Sequence, residues 1–378
     1  MFRVVLGSLL AMASVGAQAN GMHFSCKETQ QAGLRAELSR YFGELEIRPE
    51  WVSFNSSDGV LQVALAPEYS SVPTVELFRH PELDIREEIV MLPGDKRGAD
   101  KAVQTVSQKE IALALLHPGR NTAAPCDITE FREHVGIRQN IVAWAERLSW
   151  GWPDGGPAKW NKRLWRNGTP LKDTAKAIND AFVRQADYAI GCYTATKMVV
   201  AQGVLDYYKR VRPNQEKLTK VLSRLEADKD PLVDIEPPAM WAFEEDFDQT
   251  EMHKPGKLLQ LTHGVQPGNF VPGDWSYMLN TDPVTYQKTG YEGSNAIYLG
   301  RGKFDDYYND HSHAYTYREK LNEVYQWRHG VFNSGRDAAK VKPLTPREVQ
   351  QLELPPEQGG LVLSYRAVPY FFGEAGTN

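Results

Sequence analysis

Three cysteines constrain this chain more than any other feature: Cys26, Cys126 and Cys192 in 378 residues. The count is odd, so at least one sulfur cannot pair within the chain. The compartment decides what the others do. Arg3 supplies one positive charge, residues 4–15 are mostly apolar, and Ala17, Gln18 and Ala19 form a small-residue cleavage pattern ahead of Asn20. These are the marks of a secretory leader, too short and too rich in small residues for a spanning helix. The expected product is exported, periplasmic or secreted, after cleavage near Ala19. Thiols in an oxidising compartment tend to be paired. Cys26 lies just past the expected mature terminus in Met-His-Phe-Ser-Cys, and Cys126 follows Ala-Ala-Pro in a turn-like stretch. A bridge between them closes a loop of about 100 residues, worth about 4–5 kcal/mol by chain entropy. Cys192 is then the odd thiol.

Removing the leader takes Arg3 with it and leaves 42 basic against 48 acidic residues. A mildly acidic chain with no basic stripe is a poor nucleic-acid binder. No later stretch approaches the roughly 20 apolar residues of a membrane span. About 359 residues exceed one typical domain, and two are expected: an N-terminal α+β unit over 20–127 and a second unit over 128–378.

In the first unit the pattern predicts a helix over 32–46, strands over 51–54 and 60–65 around an Asp58-Gly59 turn, and further strands over 72–78 and 89–92. A short helix follows over 108–116, and residues 120–125, polar and bounded by proline, read as a junction. The second unit opens with a helix over 128–148 and a Gly- and Pro-rich loop; five of the nine tryptophans fall between Trp144 and Trp165. A helix over 171–184 precedes Gly191, a helix-start residue, and Cys192 in the first turn of a buried helix. Residues 210–248 read as a charged surface helix and loop. Strands are expected over 260–264, 269–271, 275–279, 296–299 and 361–367, with a helix over 315–327. Helices followed by a run of strands argue for α+β with an antiparallel sheet.

A helix N-terminus carries unpaired N–H groups and a partial positive charge. A thiol placed there ionises more readily, and the thiolate is the attacking species. The same N–H groups can receive an oxyanion formed at a carbonyl. A cysteine that opens a helix, backed by a sheet, is the layout of papain-like hydrolases and transferases; the alternative is a small buried hydrophobe.

Arg138-Gln-Asn140-Ile-Val-Ala143-Trp-Ala145 and Tyr188-Ala-Ile-Gly-Cys192-Tyr-Thr194-Ala195 resemble the bacterial spore-coat type of protein-glutamine gamma-glutamyltransferase. Phe270-Val-Pro-Gly273-Asp274 and Gly293-Ser-Asn295-Ala-Ile297-Tyr-Leu299-Gly300 resemble its two core strands, and Glu319-Lys-Leu-Asn322 the helix after them. The resemblance spans about residues 138–328. It implies a transglutaminase on an NlpC/P60-like cysteine fold, with Cys192 as nucleophile and neither metal nor organic cofactor. Two positions depart from the family pattern: Gly191 and Ser294 stand where it has glutamates. Glu292, two residues before Ser294, is one substitute carboxylate. Asn295 occupies the position where NlpC/P60 hydrolases carry a histidine, and His311 or His313 lies near another family histidine. Either imidazole suits proton transfer near neutral pH. The His-Ser-His run also reads as a solvated turn or, less readily, a metal clasp, Glu292 as an exposed turn carboxylate, and Asp274 as a strand terminus rather than a group that orients a base.

The reaction implied is attack on a glutamine carboxamide, release of ammonia, and transfer of the acyl group from a thioester to a lysine amine. The partners are then proteins with accessible Gln and Lys. Tryptophans of the 150–165 segment are candidates for a narrow approach that excludes water. The rival readings are a cell-wall peptidase or amidase acting on peptidoglycan, and an interaction protein that has lost activity.

Overall fold

The computed structural model describes residues 21–94, 98–153, 158–166, 168–227, 260–263, 265–287, 291–309, 314–330 and 343–368. The expected leader and the His311 and His313 positions lie outside them. The chain is mixed α+β.

Strand β1 (Gly21–Ser25) leads into α1 (Glu28–Glu44), then the hairpin β2 (Val52–Ser57) and β3 (Val60–Leu65), the pair β4 (Glu88–Leu92) and β5 (Lys101–Thr105), helix α2 (Gln108–Leu115) and β6 (Asn121–Pro125). The first sheet has the order β2-β3-β1-β6. Parallel β1 and β6 end opposite one another at Ser25 and Pro125, and the next residue of each strand is a bridged cysteine: Cys26–Cys126 is a disulfide and Cys192 is free. Most of the expected junction over 120–125 is therefore a strand, Asn121–Pro125. Its partner is about 100 residues away, and Thr-Ala-Ala carries little strand propensity of its own. Within the strand expected over 72–78 the chain instead forms a 3-10 helix, Thr74–Arg79. Its first hydroxyl, on Thr74, donates to the carbonyls of Gly268 and Phe270.

Helix α3 (Ile128–Ala145) is buried along most of its length. The short strands β7 (Trp165–Arg166) and β8 (Thr169–Pro170), α4 (Thr174–Val183), α5 (Cys192–Asp206) and α6 (Gln215–Ala227) follow. α3 packs along α5, which is sheathed on almost every side. Their approach is close: a Cβ on Gly203 would stand 2.4 Å from Ile141 Cγ1, so only glycine fits there.

The second sheet is built from β9 (Gln260–His263), β10 (Trp275–Leu279), β11 (Gly293–Gly300), β12 (Lys303–Asp305), β13 (Ala314–Thr316) and β14 (Val362–Ala367). Its order is β13-β12-β11-β10-β14-β9, antiparallel at each paired edge. Helices α7 (Tyr317–Arg328) and α8 (Pro346–Leu352) flank it. Residues 269–271, expected as a strand, are irregular and lead into a turn over 271–274, where the Asp274 carboxylate takes the Val271 N–H at 2.8 Å. Gly273 makes that turn with φ +85°, a conformation that suits glycine.

One apolar core runs from Met22 and Phe24 through α3 and α5 to Trp275, Ile297 and Leu299. The other face of the second sheet carries a separate cluster around Phe270, Ala296, Tyr298 and Phe304. Asp274 ties the two halves of the chain together. It is fully buried and receives Arg120 at 3.0 Å and Arg138 at 2.9 Å.

Candidate active site

Helices α2, α3 and α4 each begin with a Ser or Asp side chain that accepts a first-turn N–H. α5 begins at Gly191, which brings no capping side chain. Its positive end is left to whatever stands in front of it, and Cys192, partly exposed, is the first helical residue.

Opposite the thiol is β11. Its residues are buried on both faces, and alternation divides them: Asn295, Ile297 and Leu299 turn toward α3 and α5, while Ser294, Ala296 and Tyr298 turn away. Asn295 Nδ2 lies 3.5 Å from Cys192 Sγ and donates to it. The amide is held in that sense by Trp275, whose Nε1–H donates to Asn295 Oδ1 at 2.9 Å. An indole N–H can only donate, so the amide oxygen faces Trp275 and the NH2 faces the sulfur. Trp275 is itself fixed by an edge contact with Tyr193, centroids 5.0 Å apart, and by the buried Arg366 guanidinium 4.6 Å above its ring.

This arrangement favours negative charge at the sulfur. A helix N-terminus and an amide donor act in the same direction. Behind Cys192, the Thr196 hydroxyl donates to its carbonyl at 2.7 Å and lies 2.9 Å from the Tyr307 hydroxyl. Burial, with Asp305 adding to it, holds the Tyr307 phenol well above its ordinary pKa, so it serves as a neutral hydrogen-bonding group.

The structure brings Cys192 and Asn295 together and separates Ser294 from them. Ser294 lies on the far face, its hydroxyl 3.3 Å from that of Tyr315, beside Phe270, Met278 and Lys320. Glu292 precedes β11, half-buried, with its backbone carbonyl accepting Asn280 N–H at 2.8 Å. Among the described residues no three His, Cys, Asp or Glu side chains converge as metal ligands, and no helix is long and apolar enough to cross a membrane.

The tryptophans divide unequally. Trp144 donates to Asp206, Trp150 to the Ala181 carbonyl and Trp165 to Tyr188, and Trp160 packs against Trp165; these four are buried core groups. Trp152 is half-buried, edge-on to Tyr308 at 4.8 Å. The Tyr308 hydroxyl donates to the Ile190 carbonyl two residues before Cys192, so Trp152 packs on a residue that holds the segment leading to the thiol. Sequence reasoning missed Trp275 and Arg366. Their signal was a polar-tipped side chain inside an apolar strand, in Asp-Trp-Ser-Tyr and Ser-Tyr-Arg-Ala.

A family model described as protein-glutamine gamma-glutamyltransferase matches residues 101–328, more than half of the chain. Among solved structures the chain is similar to the transglutaminase from Geobacillus stearothermophilus (without C-terminal extension), at 18% identity and a TM-score of 0.39, covering 67% of this chain and 99% of that one. No curated protein matches the chain.

Proposed function

Because this chain belongs to the protein-glutamine gamma-glutamyltransferase family, enzymes that cross-link proteins through glutamine side chains, we propose that Cys192 is its nucleophile and that the acyl group passes through a thioester to a lysine amine. The observation that carries this is the Asn295 amide, fixed by Trp275 and aimed at the Cys192 sulfur.

The thiolate adds to the glutamine carboxamide carbon. The resulting oxyanion is received by N–H donors at the start of α5 and by the Asn295 NH2. The C–N bond breaks, the nitrogen takes the proton given up by the thiol and leaves as ammonia, and a thioester remains. A neutral lysine amine attacks that carbonyl, surrenders a proton and expels the thiolate. An amide is not a base, so the proton carrier is assigned to His311 or His313, with Glu292 as the alternative. In this reading Gly191 and Ser294 dispense with the family's glutamates because donors, rather than an adjacent carboxylate, hold the sulfur anionic. Trp152 limits water at the thioester.

The same reading places catalysis in 128–378, on an NlpC/P60-like arrangement, and gives 20–127 to substrate docking or masking. Export with cleavage near Ala19 is supported by the Cys26–Cys126 disulfide, a bond typical of oxidising compartments. The test is to incubate the mature protein with a glutamine-containing protein and a labelled primary amine, beside purified peptidoglycan. Amine incorporation that disappears in Cys192→Ala is expected. Muropeptide release without incorporation would overturn the transferase assignment in favour of a cell-wall hydrolase.

A further inference from the structure

A cleft of about 350 Å³ opens beside Trp160. Among the described residues four cations line it, Lys159, Lys162, Arg163 and Arg184, against one carboxylate, Asp187, which is paired with Arg184 at 2.5 Å. Lys159 Nζ donates to the neutral Ala186 carbonyl, and no carboxylate among the described residues pairs with it. Lys162 and Arg163 are exposed and form no ion pair among the described residues. Residues 158–187 hold seven basic and three acidic side chains in a chain whose net charge is −5. The other two acids are also engaged: Asp173 caps α4, and buried Asp180 accepts from Asn161 and Tyr188, which pins the cleft wall to that helix.

The cleft is coupled to the nucleophile. Lys159 and Ala189 exchange both backbone hydrogen bonds, at 2.7 and 3.1 Å, and Ala189 stands three residues before Cys192. Three extended residues span about 10–11 Å and a cross-strand pair about 5 Å. The Lys159 backbone is thus within about 16 Å of the nucleophile, the reach of about five extended residues.

We propose that this basic cleft docks an acidic stretch of the acyl-donor protein, so that the enzyme selects glutamines with Asp or Glu within about five positions. The proposal rests on the transferase reading above and adds its donor specificity. A protonated lysine is repelled by the same cations, so the cleft serves the glutamine side of the reaction and not the amine side.

The test uses the full chain and three fluorescent glutamine peptides, flanked by Glu, by Gly and Ser, or by Lys. With wild type, kcat/KM for amine incorporation should favour the Glu-flanked peptide over the neutral one by about three- to tenfold, the range that two or three exposed ion pairs supply. The preference should reside in KM and shrink as salt rises. Lys162→Glu with Arg163→Glu should erase or invert it while turnover of the neutral peptide stays within about twofold of wild type. Equal rates for acidic and neutral peptides, or a preference that survives the double charge reversal, would overturn the proposal. Binding to the Cys192→Ala variant, read by anisotropy, decides docking without turnover. If wild type transfers to no peptide, the transferase reading fails while anisotropy still supports or refutes the cleft. A cleft that binds an anionic polysaccharide but not the Glu-flanked peptide also refutes it.

Discussion

Replacing Asp274 by alanine would remove the one carboxylate shared by two buried arginines. Asp274 Oδ2 accepts Arg120 Nη1 at 3.0 Å and the Val271 N–H at 2.8 Å, while Oδ1 accepts Arg138 Nη1 at 2.9 Å. Arg120 also stacks on Tyr365, 3.6 Å from the ring centroid, so it has no route to solvent. Removing one partner of a buried ion pair costs about 3–5 kcal/mol, because the surviving charge stays desolvated. Here two guanidiniums survive and face each other, and the orphaned Val271 N–H adds about 1 kcal/mol. The expected loss is about 4–6 kcal/mol, a large share of the roughly 5–15 kcal/mol typical of a folded protein. Urea unfolding followed by tryptophan fluorescence reads it as a lower midpoint at unchanged slope. Asp274→Asn keeps one acceptor and should lose about half as much. Because the 271–274 turn leads into Trp275, Cys192 alkylation in Asp274→Asn should also change in rate. An alanine variant within about 1 kcal/mol of the parent would refute the view that this carboxylate joins the two halves of the chain.

Other outcomes follow from the same geometry. Asn295→Ala removes a donor to a charged acceptor, worth about 1.5–3 kcal/mol, so Cys192 alkylation at neutral pH should fall at least about tenfold; an unchanged rate would dismiss the amide. Burial raises the Glu110 pKa from 4.5 to about 7, with the Arg301 N–H opposing it. A folded pKa above the unfolded one means that stability is full below about pH 4.5 and declines as pH rises to about 7, by about 3 kcal/mol in all. Glu110→Gln should remove that decline relative to wild type, measured as unfolding free energy from pH 4 to 8, and an identical slope in the two proteins would contradict it. Cys26→Ser with Cys126→Ser opens a link of sequence separation 100 and should cost about 4–5 kcal/mol while leaving Cys192 reactive; a loss below about 1 kcal/mol would mean that the β1–β6 pairing holds without the staple.

What was legible in the sequence was local. Gly191 before an apolar helical run located the start of α5, and the apolar run 296–299 marked the centre of β11. Which face of β11 meets the thiol was not legible, because Gly293–Gly300 is buried on both sides and its pattern has no polar face to exclude. The resemblance matched Ser294 to a family glutamate, whereas in the structure it is the Asn295 side chain, on the opposite face, that reaches the sulfur. Trp275 and Arg366 stayed hidden because their role depends on register across β11, β10 and β14, in which Trp275 pairs with Ile297 on one side and Arg366 on the other. β6 was invisible because its order comes from β1, far away in the chain. Residues 72–78 carried an apolar strand pattern, but the Thr74 hydroxyl found carbonyls in the 268–270 loop that no local pattern reveals.

The central claim is that Cys192 carries the acyl group. Incubating the protein with a glutamine peptide in the absence of any amine, then digesting and weighing the fragments, tests it directly. The account predicts one new species: the Cys192 fragment, heavier by the peptide less ammonia, cleared by hydroxylamine and absent from Cys192→Ala together with all amine incorporation. An acyl adduct on another residue, or incorporation that persists in Cys192→Ala, would contradict it.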